Sequence, residues 1–306
     1  MAAATIEGRR VLLTGASSGI GRELAKELAG RGARLALAAR RGPLLESLAE
    51  EIEAGGGTKP SLHEIDLSER RAAQGLAAAA AETLGGIDVL INNAGGGVGG
   101  RIATVGDRDE AREAFEVNYW SPLALIQALA PPMLERRSGA IVNVSSLGQV
   151  STWPGFGAYA ATKGALSVAA ETLAMEMEDR GVHVMEVLPG PVDTAVQGET
   201  RLAPGIDRML NRVPMGDART MARRIADGLQ RRRRRIIYPR RAAVAYYLPA
   251  LVRWDGRRLA ARAARDLARD FGDQTAALDS LVVRTGSMGD EITRQARDAW
   301  EAGRGR

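Results

Sequence analysis

The sequence of 306 residues contains no cysteine and only two histidines, His63 and His183. Disulfides and thiolate chemistry are therefore excluded, and two imidazoles without a neighbouring carboxylate cluster make a metal site unexpected. No apolar run reaches the roughly 18 residues of a membrane-spanning helix. The N-terminus, MAAATIEGRRVLLTG, lacks the apolar core of a signal peptide. These absences lead us to expect a cytoplasmic protein that binds no metal.

Lysine is scarce too. Of the 42 basic residues only Lys26, Lys59 and Lys163 are lysines, and the others are arginines. A compact ammonium with rotatable donors binds different groups from a planar guanidinium. Lys163, in GAYAATKGAL (157–166), is therefore either at a position that requires an ammonium group or a lysine by chance. The surrounding motifs decide between the two explanations.

Seven short apolar runs alternate with longer segments of helical pattern. The runs cover residues 10–14, 33–39, 61–66, 87–91, 139–146, 181–189 and 234–239. This alternation predicts an α/β fold of the Rossmann type, a doubly wound parallel sheet of about seven strands with helices on both faces. We expect one domain over residues 1–240 and a helical C-terminal extension over residues 241–306.

The stretch TGASSGIG, residues 14–21, follows the first run and opens a helical pattern. Glycines in such a turn let backbone amides approach a pyrophosphate at the helix N-terminus. A plain tight turn between strand and helix is the competing explanation. If the loop binds a dinucleotide, its contacts come from Gly15, Ser17, Ser18, Gly19, Ile20 and Gly21.

The second run ends at Ala39 and is followed by Arg40 and Arg41, with no carboxylate at this point. An acid here would bind the ribose 2′-hydroxyl of NAD, whereas cations suit the 2′-phosphate of NADP. The pair therefore predicts a preference for NADP(H), with NAD(H) as the alternative, unless both arginines are simply solvated. Asp66, before Leu67, either accepts from the adenine amino group or caps the next helix.

Tyr159 and Lys163 lie four residues apart in a segment that is predicted to be helical over residues 158–179, so they share one face. A nearby ammonium lowers the pKa of a phenol from its usual value of about 10. Such a tyrosine can act as acid or base toward a carbonyl or alcohol oxygen. Ser146 closes the fifth run and could hold the same oxygen. Taken alone, the pair would be an ordinary surface pair.

Taken together, six motifs resemble the short-chain dehydrogenase/reductase family over residues 5–240. They are TGASSGIG, NNAG, Asn118 in FEVNYW, Ser146 in NVSSLG, Tyr159-x3-Lys163 and PGPVDT, in the order that the family shows. The resemblance implies that Tyr159 is the acid/base and that Ser146, rather than Ser145, orients the substrate oxygen. It also implies that Lys163 binds the nicotinamide ribose.

The resemblance extends these roles to the proton relay and the cofactor. It implies that Asn118 holds a water in the relay. The remaining cofactor contacts would come from Asp66, Leu67, Asn93, Ala94, Gly95, Pro189, Gly190, Val192 and Thr194. Relatives that prefer NADP often carry a basic residue where this chain has Ser18, so the NADP preference depends on Arg40 and Arg41.

The function expected from these motifs is an NADP-dependent oxidoreductase acting on an apolar ketone, aldehyde or matching alcohol. Residues 152–156 and a lid over residues 195–216 would line the pocket. The alternative is a nucleotide-binding regulatory or scaffold protein without turnover, which the presence of both Tyr159 and Lys163 disfavours. The family implies a homodimer or homotetramer, through helices near residues 107–136 and 158–180.

Positive charge is concentrated late in the chain. Residues 1–200 carry 18 basic and 25 acidic residues, whereas residues 201–306 carry 24 and 12. Segment 231–254, RRRRRIIYPRRAAVAYYLPALVRW, combines arginines, tyrosines and a tryptophan. It either packs over the pocket or a neighbouring subunit, or lies on an anionic membrane surface. Nucleic-acid binding is the least favoured explanation, because no recognition motif surrounds it.

Overall fold

A seven-stranded parallel sheet forms the centre of the computed structural model, which describes residues 5–100, 102–106, 108–150, 155–177, 179–193, 215–250, 253, 254 and 257. Its strands are β1 (Arg10–Thr14), β2 (Arg34–Ala39), β3 (Ser61–Glu64), β4 (Val89–Asn92), β5 (Gly139–Val144), β6 (Val182–Pro189) and β9 (Arg235–Tyr238). They lie in the order β3-β2-β1-β4-β5-β6-β9. A separate pair joins β7 (Val192–Asp193) to β8 (Gly216–Asp217). The predicted α/β sheet is confirmed.

Helices cover both faces of this sheet. They are α1 (Gly19–Gly30), α2 (Gly42–Ala54), α3 (Ala72–Leu84), α4 (Ile102–Val105), α5 (Asp109–Phe115), α6 (Ser121–Glu135), α7 (Gly157–Met177), α8 (Ala218–Gln230) and α9 (Ala243–Tyr247). A π-helical turn covers Glu116–Trp120, and 3-10 turns cover Leu147–Val150 and Arg240–Ala242. The predicted helical extension beyond residue 250 lies outside the described residues, apart from residues 253, 254 and 257.

Alternate strand residues enter two separate cores, as the two-residue period of a strand requires. In β1, Val11 and Leu13 pack in one core with the apolar faces of α1, α2 and α8. Leu12, between them, packs in the other core with residues of α3 and α6. Because both faces of the strand are buried, its sequence is a continuous apolar run and not an alternating one.

The parallel arrangement gives the sheet two chemically different edges. The carboxyl ends of β1, β4, β5 and β6 gather the predicted motifs at one edge, and the order reverses between β1 and β4, where such folds bind ligands. Arg231–Arg234 precede β9 and lie at the other edge, whereas Arg240 and Arg241 follow it. A four-residue strand spans roughly 13 Å. Segment 231–254 is therefore not one continuous surface.

His183 is a buried titratable group near the amino-terminal edge of the sheet. It is 8% exposed, and its Nε2 atom has no hydrogen-bond partner among the described residues. Burial, with a smaller contribution from Arg232, lowers the pKa of His183 from 6.5 to about 4, against the opposing effect of a hydrogen bond to the Arg233 backbone. The folded protein therefore keeps this imidazole neutral well below neutral pH.

This pKa shift predicts an acid-sensitive part of the stability. Between pH 6.5 and pH 4 the unfolded chain binds a proton at His183 and the folded chain does not, so stability falls as the pH falls. The loss approaches about 3 kcal/mol and is complete near the folded pKa. Urea unfolding of the wild type and of His183→Leu at pH 7 and pH 4.5 measures it. Equal losses in both proteins would contradict this prediction.

Candidate active site

The loop after β1 and the loop after β4 are in very close contact. At Gly15, where φ is +69°, an added Cβ would lie 2.7 Å from the Ala94 Cα atom. At Gly21 an added Cβ would collide with the Gly15 carbonyl oxygen and lie 2.6 Å from Asn93 Nδ2. Side chains are excluded from this contact, as expected where a backbone must approach a ligand closely.

Thr14 ties the same two loops together with its hydroxyl group. Its Oγ1 accepts hydrogen bonds from the backbone N–H groups of Asn93 and Ala94, both at 3.0 Å, and donates to the Ile91 carbonyl at 3.3 Å. The Asn93 amide donates to the carbonyls of Thr14 at 2.9 Å and Gly15 at 3.2 Å. Thr14 was missed among the site residues. The available signal was a hydroxyl residue at the end of a buried apolar run.

The start of α1 provides an anion site that suits a pyrophosphate. Ser18 occupies the N-cap position with extended backbone, and its side chain makes no capping hydrogen bond. The first N–H groups of a helix have no partner within the helix and attract negative charge. Ile20, in this first turn, packs against the core. The loop therefore fits a dinucleotide phosphate.

The two arginines after β2 have different surroundings. Arg41 donates through Nη2 to the hydroxyl oxygens of Ser17 at 3.1 Å and Ser18 at 2.8 Å. Its charge thus lies against the glycine loop. Arg40 is exposed, and its Nη1 atom lies 3.7 Å from Asp66 Oδ2.

Carboxylates approach this region from β3 and from the segment after it. Asp66 Oδ1 accepts from the Ser68 backbone N–H at 2.9 Å and from the Ser68 hydroxyl at 2.8 Å. It therefore closes a local turn, and the expectation that it caps the next helix is wrong, since α3 begins at Ala72. Glu64, also missed, directs its carboxylate against the Cα atom of Gly42, at the start of α2.

Lys163, Asn118 and Gly95 converge at the centre of the site. The Lys163 side chain is buried, and Nζ donates to the Val144 carbonyl at 3.2 Å. A Cβ added at Gly95 would lie 3.1 Å from Nζ and 3.2 Å from Asn118 Oδ1. A side chain at this position would press on both groups, so glycine lets the loop after β4 pass close to them.

Asn118 lies in the π-helical turn between α5 and α6 and is completely buried. Its amide nitrogen donates to the Gly96 carbonyl at 2.7 Å and to Thr162 Oγ1 at 2.9 Å. Its Oδ1 accepts from the Gly96 N–H at 3.0 Å. Such turns occur often at functional sites. Here the turn connects the loop after β4 to α7.

The structure separates the roles of the two adjacent serines. Ser145 is buried, and its hydroxyl donates to the Lys163 carbonyl at 2.8 Å, so it holds α7. The Ser146 hydroxyl accepts from the Gly148 N–H at 3.0 Å and lies near the Tyr159 ring, since a Cβ added at Gly148 would be 3.2 Å from Ser146 Oγ and 3.3 Å from Tyr159 Cε1. The Phe156 ring packs edge-on to Tyr159, with 6.4 Å between centroids.

Burial dominates the proton affinities of the central pair. It raises the pKa of Tyr159, and the hydrogen bond from Ser146 acts in the opposite direction. It lowers the pKa of Lys163 from 10.5 to about 8. The net lowering of the tyrosine pKa that the sequence led us to expect is not observed in the protein alone. Removal from water disfavours the charged form of each group, and this effect is the largest cause of both shifts.

The remaining predicted residues lie around this centre or outside the described residues. The Leu67 carbonyl accepts from the Ser121 hydroxyl at 2.8 Å. Pro189 ends β6, and the Gly190 N–H donates to the Tyr238 carbonyl at 2.7 Å. Val192 is buried in β7. Thr194, residues 152–154 and the expected lid as far as residue 214 lie outside the described residues.

Comparisons with known proteins agree with this geometry. The family model described as short chain dehydrogenase matches residues 9–204. A short chain dehydrogenase of Pseudocercospora fijiensis is 40% identical over 192 residues, which are 62% of this chain and 61% of that protein. A fatty acyl-CoA reductase of Mycobacterium tuberculosis is 38% identical over 203 residues, 66% of this chain and 69% of that protein.

Two solved structures share the fold. The short-chain dehydrogenase/reductase of Burkholderia phymatum in complex with NAD has a TM-score of 0.70 and 27% identity, covering 82% of this chain and 97% of that one. The short-chain dehydrogenase of Sphingobium yanoikuyae in complex with NADPH has a TM-score of 0.69 and 28% identity, covering 87% and 97%. The chain belongs to the short-chain dehydrogenase/reductase family and spans about three fifths of the length of most of the curated relatives that it matches.

Replacement by alanine should have opposite effects on stability at two glycines, one in the contact between the two loops and one on an open helix surface. Gly21→Ala should destabilise the fold by about 1–3 kcal/mol, because its Cβ meets backbone that cannot yield. Gly75→Ala, within α3 and with open space around the added Cβ, should stabilise by up to about 1 kcal/mol. Urea unfolding measures both changes. A neutral Gly21→Ala would mean that the loops can separate.

Proposed function

We propose that this chain is an NADP(H)-dependent oxidoreductase that interconverts an apolar ketone or aldehyde and the matching alcohol. The observation that carries the proposal is the convergence of Ser146, Tyr159, Lys163 and Asn118 beside the glycine loop. A nucleotide-binding scaffold would have no use for a tyrosine near a serine hydroxyl with a buried lysine four residues further along the same helix.

The proton chemistry follows from the state of each side chain. Because the pKa of Tyr159 is raised, its hydroxyl is protonated near neutral pH and can act as an acid toward a carbonyl oxygen. Ser146 donates to the same oxygen and fixes its position. Bound nicotinamide would supply or accept the hydride. In the direction of oxidation, Tyr159 takes the proton back from the alcohol.

Lys163 is proposed to support the tyrosine and to bind the ribose of the cofactor. With a pKa of about 8 it remains mostly protonated near neutral pH, so its ammonium favours the phenolate that Tyr159 forms after giving up its proton. The Asn118 amide accepts a hydrogen bond from the Gly96 N–H and donates one to the Gly96 carbonyl, so it holds the loop after β4 near Lys163. We propose that Asn118 serves the proton relay through this positioning.

Replacement of the tyrosine hydroxyl tests the reaction. In Tyr159→Phe we expect turnover to fall by roughly 10²–10⁴-fold, since the acid is lost, while NADPH binding persists. The assay follows NADPH oxidation with aldehydes, ketones and acyl-CoA thioesters of rising chain length, the last because one relative is named a fatty acyl-CoA reductase. Binding of NADPH without turnover of any substrate would favour the scaffold alternative.

The preference for NADP(H) over NAD(H) is proposed from Arg41 and Arg40. Arg41 brings a guanidinium to the phosphate loop, and β2 ends at Ala39 without a carboxylate. Glu64 and Asp66 approach the same region and act in the opposite direction. NAD(H) is therefore the weaker alternative cofactor.

Neutral variants of the two arginines measure this preference. We expect Arg41→Gln to raise the KM for NADPH about tenfold or more and to leave the KM for NADH nearly unchanged, because a charge-assisted bond to the 2′-phosphate is lost. Arg40→Gln should have a smaller effect, since Arg40 faces Asp66. Equal increases for both cofactors would show that Arg41 supports the loop and does not select the 2′-phosphate.

A homodimer or homotetramer through α5, α6 and α7 is proposed from the family and from exposed apolar residues. Val168 and Met175 are 66% and 69% exposed, and at a spacing of seven residues they share one face of α7. Trp120, which is 54% exposed, precedes α6. Exposed apolar residues that share a helix face are common where protein chains pack against one another.

Charges on this face should disrupt the assembly. We expect Val168→Glu/Met175→Glu to give a monomer, because a buried unpaired carboxylate opposes association. Light scattering after size-exclusion chromatography gives the mass. Leu44→Glu, at an exposed leucine on α2, is the matched control and should keep the assembly of the wild type. An unchanged mass in the double variant would place the interface elsewhere.

A further inference from the structure

Helix α9 directs its apolar side chains outward. Val244 and Tyr247 in α9 are 61% and 65% exposed, and Leu248, directly after the helix, is 49% exposed. A helix on the surface of a globular protein normally buries such a stripe against the core. We call these three residues the α9 face. An exposed apolar face of this kind either contacts another surface or lowers the solubility of the protein.

The opposite side of α9 is fixed to the catalytic helix by polar contacts. The Tyr246 hydroxyl donates to Glu171 Oε1, on α7, at 2.8 Å. The Arg235 guanidinium lies 4.6 Å from the centroid of the Tyr246 ring and bonds Glu186 through Nε at 2.6 Å. Glu186 in turn accepts from Ser167, one turn after Lys163 on α7. These contacts hold the α9 face outward.

The α9 face lies beside the candidate active site. Helix α9 packs on the 3-10 turn Leu147–Val150, which follows Ser146. Arg253 Nε donates to the Val150 carbonyl at 3.3 Å, so the chain after α9 returns to the same turn. A surface that occupied the α9 face would therefore lie next to the residues that handle the substrate.

The charges on the segment that carries the α9 face are all positive, and the Glu171 carboxylate on α7 lies on the other side of α9, bonded to Tyr246 and Arg235. Residues 239–254 contain three arginines and no carboxylate, and Arg240 and Arg241 are both exposed just before α9. Trp254 is 51% exposed. Exposed aliphatic and aromatic side chains with flanking arginines suit the interface of a bilayer containing anionic lipid. In a two-fold contact between copies of the chain, the same arginines would repel one another.

We propose that the α9 face docks on an anionic lipid bilayer and presents the catalytic edge of the sheet to a lipid-dissolved carbonyl or alcohol. The substrate half of this inference rests on the proposed oxidoreductase function. No helix in the described part of the chain is long and apolar enough to cross a membrane, so the contact is interfacial. Arg231–Arg234, at the other edge of the sheet, take no part in it.

Two pairs of variants with equal loss of charge test this geometry. The full-length protein is sedimented with phosphatidylcholine vesicles with and without phosphatidylserine. Arg240→Gln/Arg241→Gln should weaken binding to the anionic vesicles about thirtyfold, since each arginine near such a surface contributes roughly fivefold. The matched control, Arg231→Gln/Arg233→Gln, should bind nearly as the wild type does. Val244→Ser/Leu248→Ser should weaken binding at least about tenfold.

Each other outcome overturns the docking geometry. Equal weakening by both arginine pairs would mean diffuse attraction of a basic protein. A change of oligomeric mass in Val244→Ser/Leu248→Ser, with vesicle binding unchanged, would mean that a second copy covers the α9 face. Failure of the wild type to bind anionic vesicles would also reject the proposal.

Activity assays separate this inference from the proposed function. All three double variants should keep wild-type turnover of a water-soluble short-chain aldehyde. The two α9-side variants should lose turnover of a long-chain aldehyde dissolved in anionic vesicles. Turnover of the soluble aldehyde without vesicle binding would reject the docking and keep the oxidoreductase. Vesicle binding without turnover of either substrate would keep the docking and reject the oxidoreductase.

Discussion

The contact between the loops that follow β1 and β4 is the constraint on which the rest of the site depends. Gly15 and Gly21 leave no room for a side chain, and the Thr14 hydroxyl bonds two successive N–H groups of the opposite loop. This contact brings the helix terminus that suits a phosphate next to Gly95. Gly95 in turn passes beside Lys163 and Asn118. The glycine loop and the side chains proposed for proton transfer therefore belong to one packed unit.

Removal from water sets the pKa values of Tyr159 and Lys163, and so decides how tightly each of them holds its proton near neutral pH. A buried phenol holds its proton more tightly than in water, and a buried ammonium holds it less tightly. Burial therefore moves the two pKa values apart, since that of Tyr159 rises above 10.0 while that of Lys163 falls from 10.5 to about 8, so Tyr159 holds its proton near neutral pH until a substrate oxygen takes it. A site of this kind depends on its own burial, so loss of packing around α7 would change its chemistry as well as its stability.

Helix α7 serves several faces of the molecule at once. Tyr159 and Lys163 face the site, and Ser167 and Glu171 bond the network that anchors α9. Val168 and Met175 point outward. Because a helix presents different residues every 100° or so, one rigid element can couple the candidate reaction site, the assembly surface and the α9 face.

The sequence by itself determined the strands, the α/β class and the identity of the residues that converge. Apolar runs bounded by glycine and polar residues place each strand of the seven-stranded sheet to within about two residues, whereas the short strands β7 and β8 were not predicted. The glycine loop and Tyr159-x3-Lys163 also carry local signals. Only the tertiary structure decided what Asp66 bonds, and that Thr14 and Glu64 belong to the region. It also divided segment 231–254 between opposite edges of the sheet. Partners such as Thr14 and Asn93 are 79 residues apart, and no local pattern encodes a contact that exists only after the strands have paired.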